Sequence, residues 1–139
     1  MKRFVLDASV SLAWFVDFPM PSFAARVRQS LENGSTGVVP SLWHLEMANG
    51  FVIAEHRGAI PSDAADRCLD DIESMMVSGI EESTSAVSLR QAHTAARTFR
   101  LSAYDAVYLE TARKEHLPIA TLDRALSEAA MKAGVPLFV

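Results

Sequence analysis

The sequence predicts an α/β domain on a central, mostly parallel sheet of about five short strands. Three observations carry that prediction. Short apolar runs alternate along the chain with longer segments of helical periodicity. No hairpin signal falls between two of the strand-like runs; Asn33-Gly34 separates a helix from a strand. Parallel strands need long crossovers, and the intervening helical segments supply them. A length of 139 residues suits one domain, residues 1–139, large enough to bury a core.

The elements follow in order. "RFVL" (3–6) is β-prone and places Asp7 at its C-terminal end. "VSLAWFV" (10–16) begins a buried helix, and "FPMPS" (18–22) breaks it with two prolines. Residues 23–32 are helical, and "NGSTG" (33–37) is a turn-rich break. "GVVP" (37–40) is a brief strand, after which Pro40-Ser41 opens a helix through about Glu55, ended near Gly58. Pro61 and a polar cap start the next helix, over 61–79, and "IEE" (80–82) makes a short strand. Helices are predicted over 85–99 and 101–112. "LPIATL" (117–122) is an apolar strand with Asp123 just past its end. A last helix over 125–134 stops at Gly134, and "VPLFV" (135–139) is the fifth strand. There is no linker, low-complexity segment or internal repeat.

Composition narrows the function classes. Half the residues are hydrophobic and 22% are charged, which is globular rather than disordered. A net charge of -4 argues against a basic, sequence-independent nucleic-acid binder. It leaves room for an enzyme whose acidic centre is masked by cations. Cys68 is the single cysteine, so neither an intrachain disulfide nor a multi-cysteine zinc site can form. A reducing cytoplasm is the expected setting. Met1-Lys2-Arg3 and the apolar run after it look like the start of a signal peptide, but Asp7 interrupts that run and Asp17 closes it. No run of roughly 18 apolar residues offers a membrane span.

The acids stand in unusual places. In open α/β sheets, sites gather outside the carboxyl ends of the strands. Asp7 and Asp123 are at such ends, with Ser9 two residues after the first and Thr121 two before the second. Asp105 shares a helical stripe with Leu101, Leu109 and Ala112; Glu46 and Asn49 share one with Leu42 and Ile53. Each acid also has an ordinary explanation. Asp7 and Asp123 suit helix N-caps, Ser102-x-x-Asp105 suits a capping box, and Glu46 suits pairing with an arginine. Together, four carboxylates at one sheet edge oppose one another's ionisation. A hard divalent cation such as Mg²⁺, which takes oxygen ligands, relieves that conflict. It also activates water and offsets charge developing on a phosphodiester.

Other candidates are weaker. His44, His56, His93 and His116 form no metal-spaced set, and His44-x-Glu46 lacks the Cys-x-x-Cys of a zinc deaminase. Trp14, Phe15, Trp43 and Phe51 read as core or dimer contacts, and Met75-Met76 as core. Arg26, Arg28, Arg57, Arg90, Arg97, Arg100, Arg113 and Arg124 are spread along the chain and read mostly as solvated helix faces. A haloacid-dehalogenase-like phosphatase wants Asp-x-Asp where this chain has Asp7-Ala8-Ser9, and a receiver domain wants a lysine where "ATLDR" offers Asp123. A binding module without activity is the other rival.

Four blocks carry a family resemblance: "FVLDASVSLAWF", "VPSLWHLEMANG", "LSAYDAVYLETA" and "LPIATLDRAL". In that order they resemble the signature blocks of PIN-domain ribonucleases and, more narrowly, of VapC-type toxins. The resemblance implies a PIN-like three-layer α/β/α fold and a Mg²⁺- or Mn²⁺-dependent endoribonuclease that works by hydrolysis. It makes Asp7, Glu46, Asp105 and Asp123 the metal-holding catalytic acids. Ser9, Thr121 and Asn49 become the polar residues that order them. Arg124 follows the last acid where relatives vary, which leaves one or two metals open. The implied partners are RNA, a second copy of the chain and a VapB-type antitoxin.

Overall fold

Four short strands lie side by side in the computed structural model, which describes residues 2–139. They are β1 (Arg3–Leu6), β2 (Thr36–Val39), β3 (Ile80–Glu82) and β4 (Ile119–Ala120). Their order is β3-β2-β1-β4, and every neighbouring pair is parallel. Val5 pairs with both Val38 and Ile119, so β1 is central. Phe4, Val5 and Leu6 are fully buried, as a strand covered on both faces requires.

Seven helices make the crossovers: α1 (Ala8–Val16), α2 (Ser22–Glu32), α3 (Leu42–His56), α4 (Ser62–Ser78), α5 (Leu89–Phe99), α6 (Ala103–Glu115) and α7 (Arg124–Lys132). α6 packs on β1 and β4, with α5 and α7 beside it. α1 packs against α2 and α3, and α3 against α4. Gly50 lets α1 and α3 approach, because a Cβ there would collide with the Leu12 side chain. The sheet is thus flanked by helices, as predicted. No helix among the described residues is long and apolar enough to cross a membrane.

The fifth predicted strand is a correction. Residues 135–139 contribute a single parallel bridge, Ile119 with Leu137. The Ile119 N–H donates to Pro136 O at 2.9 Å and the Phe138 N–H to Ile119 O at 2.9 Å. Pro136 and Pro118 have no N–H to extend the ladder, which also holds β4 to two residues. A second correction concerns α5, which starts four residues later than the periodicity suggested. Ser88 and Gln91 form a capping box there, Oγ accepting from the Gln91 N–H at 3.1 Å and Oε1 from the Ser88 N–H at 3.0 Å.

The aromatic residues read as core are core. Trp14 Nε1 donates to Ala24 O at 2.8 Å and Trp43 Nε1 to Ser11 Oγ at 3.0 Å, so both buried indoles are satisfied. Phe15 and Phe51 meet edge to face, and Met75 and Met76 pack half-buried against the same core.

Candidate active site

β1 ends by delivering Asp7 to the carboxyl edge of the sheet. Asp7 occupies the N-cap position of α1, yet its side chain caps nothing. Its Oδ2 instead accepts from Ser9 Oγ at 2.6 Å and from Thr121 Oγ1 at 2.7 Å. Only 4% of Asp7 is exposed. The Asp7 N–H continues the β1–β4 ladder to Ala120 O at 3.0 Å, which puts Thr121 in reach. Ser9 Oγ also accepts from the Leu122 N–H at 3.0 Å, and Thr121 Oγ1 from the Asp123 N–H at 2.9 Å. The two hydroxyls therefore tie the turn after β4 to the acid after β1.

The other acids arrive on helices. Asp123 does cap α7, its Oδ1 accepting from the Leu126 N–H at 2.9 Å. Ser102 caps α6 by accepting from the Asp105 N–H at 3.1 Å, which fixes the first turn and leaves the Asp105 carboxylate half-buried. Glu46 stands in the second turn of α3, and its partner is not an arginine. Tyr108 donates its hydroxyl to Glu46 Oε1 at 2.6 Å. Tyr108 is fully buried on α6, one turn after Asp105, and so joins the helix of one acid to the helix of another.

These groups share one field. Burial pushes the Asp7 carboxyl above its ordinary range, the Ser9 and Thr121 bonds pull it back, and the Asp123 charge pushes it up again. Glu46 is raised by burial, lowered by Tyr108 and raised by Asp7 and Asp105. Asp105 is raised by burial and by the charges of Asp123 and Asp7. Burial, then the bond to Glu46, keep the Tyr108 hydroxyl protonated and thus a donor. Among the described residues no three His, Cys, Asp or Glu side chains converge tightly enough to form a ready metal cage. The four acids are electrostatic neighbours at the carboxyl edge of the sheet. The donor set is all oxygen and anionic, which fits a hard divalent cation.

Asn49 lies one turn past Glu46 on α3 and is exposed. Among the histidines, His44 pairs with Glu82 at 2.8 Å outside the cluster. Arg124 turns away to Glu128 at 3.2 Å. Tyr108 is the residue that sequence reasoning passed over. Its signal was a hydroxyl on a buried stripe three residues after Asp105, since a buried tyrosine oxygen needs a partner.

A family model described as PIN domain matches residues 4–132. The chain belongs to the PIN domain family. PIN domains are a nuclease fold and generally bind divalent metal ions, so this PIN domain has the scaffold of a hydrolase, and the phosphatase and receiver alternatives fall away. The solved structure titled PAE2754 from Pyrobaculum aerophilum is similar to this PIN domain, with a TM-score of 0.70 and 21% identity. The likeness covers 92% of this chain and 84% of that one, and at that identity it is a likeness of fold. No curated protein matches the chain.

Proposed function

We propose that this PIN domain is a metal-dependent endoribonuclease that hydrolyses RNA phosphodiester bonds, the toxin of a VapC-type toxin–antitoxin pair. One observation carries the reading: a buried Asp7, held by Ser9 and Thr121, in the mutual field of Glu46, Asp105 and Asp123. Burying like charges together is costly unless a cation joins them. Asp7, Glu46, Asp105 and Asp123 would hold Mg²⁺ or Mn²⁺. When bound, the ion supplies the positive charge that favours deprotonation of water and offsets charge on the phosphoryl oxygens.

The chain's own groups divide the remaining work. Ser9 and Thr121 fix the orientation of the Asp7 carboxylate. Tyr108 fixes Glu46, the acid suited to orient the attacking water. Asp123 spends one oxygen on its helix and offers the other. Leu45 and Val52, exposed on α3 on either side of the Asn49 turn, support the idea of an antitoxin segment or a second copy covering this edge.

The experiment is cleavage of a mixed cellular RNA pool with Mg²⁺ or Mn²⁺ and with EDTA, beside Asp7→Asn. Metal-dependent fragments absent from the variant are the expected result. A denature–refold step strips any inhibitor. No cleavage after it, together with no Mn²⁺ binding, would leave a PIN-fold binding module without activity.

A further inference from the structure

We propose that the exposed face of α5 binds the phosphate backbone of single-stranded RNA and leads the strand to the acidic cluster; the choice of RNA rests on the nuclease reading above. Arg90, His93 and Arg97 follow one another at i, i+3 and i+7, one stripe of α5, and Arg100 stands just past its end with a left-handed backbone. All four are exposed. From Arg90 to Arg97 the stripe is about 10 Å long at the rise of an α-helix.

Its isolation in an acidic chain is the telling feature. The protein carries 17 acids against 13 Lys and Arg, yet no Asp or Glu occurs between Glu82 and Asp105. Outside α5, Arg26 and Arg57 are also in no ion pair among the described residues, but they stand singly, and the other arginines there lie against acids. Arg3 meets Glu81, Arg28 meets Glu32, Arg113 meets Glu110 and Arg124 meets Glu128. Among the described residues Arg90, Arg97 and Arg100 take part in no ion pair. The fold does not need this face, since Ala95 is the one fully buried residue of α5.

Position supplies the rest. α5 packs along α6, and Arg100 caps its C-terminal end five residues before Asp105. Arg100 also lines a cavity of about 220 Å³ with Thr98 and with Lys132 of α7, the helix that Asp123 begins. Glu128 reaches the same cavity but is held by Arg124. A cluster of carboxylates repels a polyanion, so cations beside it are what bring a phosphate chain within reach. The planar guanidinium fork fits phosphate oxygens in pairs. An acidic peptide would bind the same fork but has no reason to be led to Asp105.

The test is RNA binding in EDTA, read as anisotropy of a labelled single-stranded oligoribonucleotide across a series of KCl concentrations. Each phosphate contact on a single strand contributes about 0.7 to the slope of log K against log salt. Arg90→Gln/Arg97→Gln/Arg100→Gln should lose about 2 of that slope, and Arg90→Gln/Arg97→Gln about 1.4. The double variant spares the Arg100 cap, so misfolding cannot account for its loss. In turnover the triple variant should raise KM far more than it lowers kcat. An unchanged slope in both variants overturns the proposal, as does tighter stripe-dependent binding of polyglutamate than of RNA. Binding is read without cleavage. A protein that holds RNA through the stripe but never cuts it would sink the nuclease reading and leave the stripe standing.

Discussion

Because burial raises the Asp7 carboxyl above its ordinary range, the folded chain binds that proton more tightly than the unfolded chain does. Its contribution to stability is therefore greatest at low pH. It is lost as pH climbs from the unfolded carboxyl value, about 4, through the raised folded one, and is flat above. Asp7→Asn, measured in EDTA, should melt higher than the wild type at neutral pH, with the gain shrinking as pH falls toward about 4. Mn²⁺ should then raise the Tm of the wild type and leave that of the variant unchanged; equal shifts in both would remove Asp7 from the metal set. Tyr108→Phe deletes a bond to a charged group at a buried site, worth about 1.5–3 kcal/mol. Mn²⁺ affinity and cleavage should each fall by roughly 10- to 100-fold, the range typical of groups that orient ligands. The same change in a Glu46→Gln background should add little, and full additivity would mean that Tyr108 acts on packing alone. Asp7 and Asp123 stood out because each follows a predicted strand, Asp105 because it lies in the first turn of a predicted helix, and Glu46 because it shares a stripe with apolar residues. Tyr108 did not, because its partner lies 62 residues earlier on another helix.

At the scale of the elements, the two serine caps make a matched pair. Ser88 caps α5 and Ser102 caps α6, each accepting one N–H three residues on. Ser88→Ala and Ser102→Ala should each cost about 1 kcal/mol, read as a loss of Tm. Only Ser102→Ala should also slow cleavage, because the turn it holds carries Asp105; equal activity in the two variants would show that this turn keeps its place without the cap. Helix positions were readable from periodicity, and the α6 N-terminus from Ser102-x-x-Asp105, whereas the Ser88/Gln91 box that starts α5 went unread and the helix was placed four residues too early. The strand edges were less readable. The apolar run over 117–122 reads as six extended residues, but pairing needs donors, and Pro118 and Pro136 withhold them on either side of Ile119. β-propensity reports what a residue tolerates, and the ladder depends on what its neighbour offers.

Across the whole molecule, a net charge of -4 conceals two separated territories. Carboxylates gather at the sheet edge, and the arginines of α5 line an adjoining flank. Averages over the chain cannot show that division. RNA binding should consequently be salt-sensitive despite the acidic whole; binding that strengthened with added KCl would contradict the division. Parallel topology was readable from the alternation of helix and strand, whereas the order β3-β2-β1-β4 was not.

That order has a further consequence for how the chain comes into being. Asp7 leaves the ribosome 114 residues ahead of the Thr121 hydroxyl that fixes it. Until then β1 has β2 on one side and nothing on the other. Over that stretch of synthesis the nascent chain carries Asp7 without the Thr121 hydroxyl and Asp123 beside it. On the nuclease reading proposed above, the acidic centre is incomplete until the chain through Asp123 has been made.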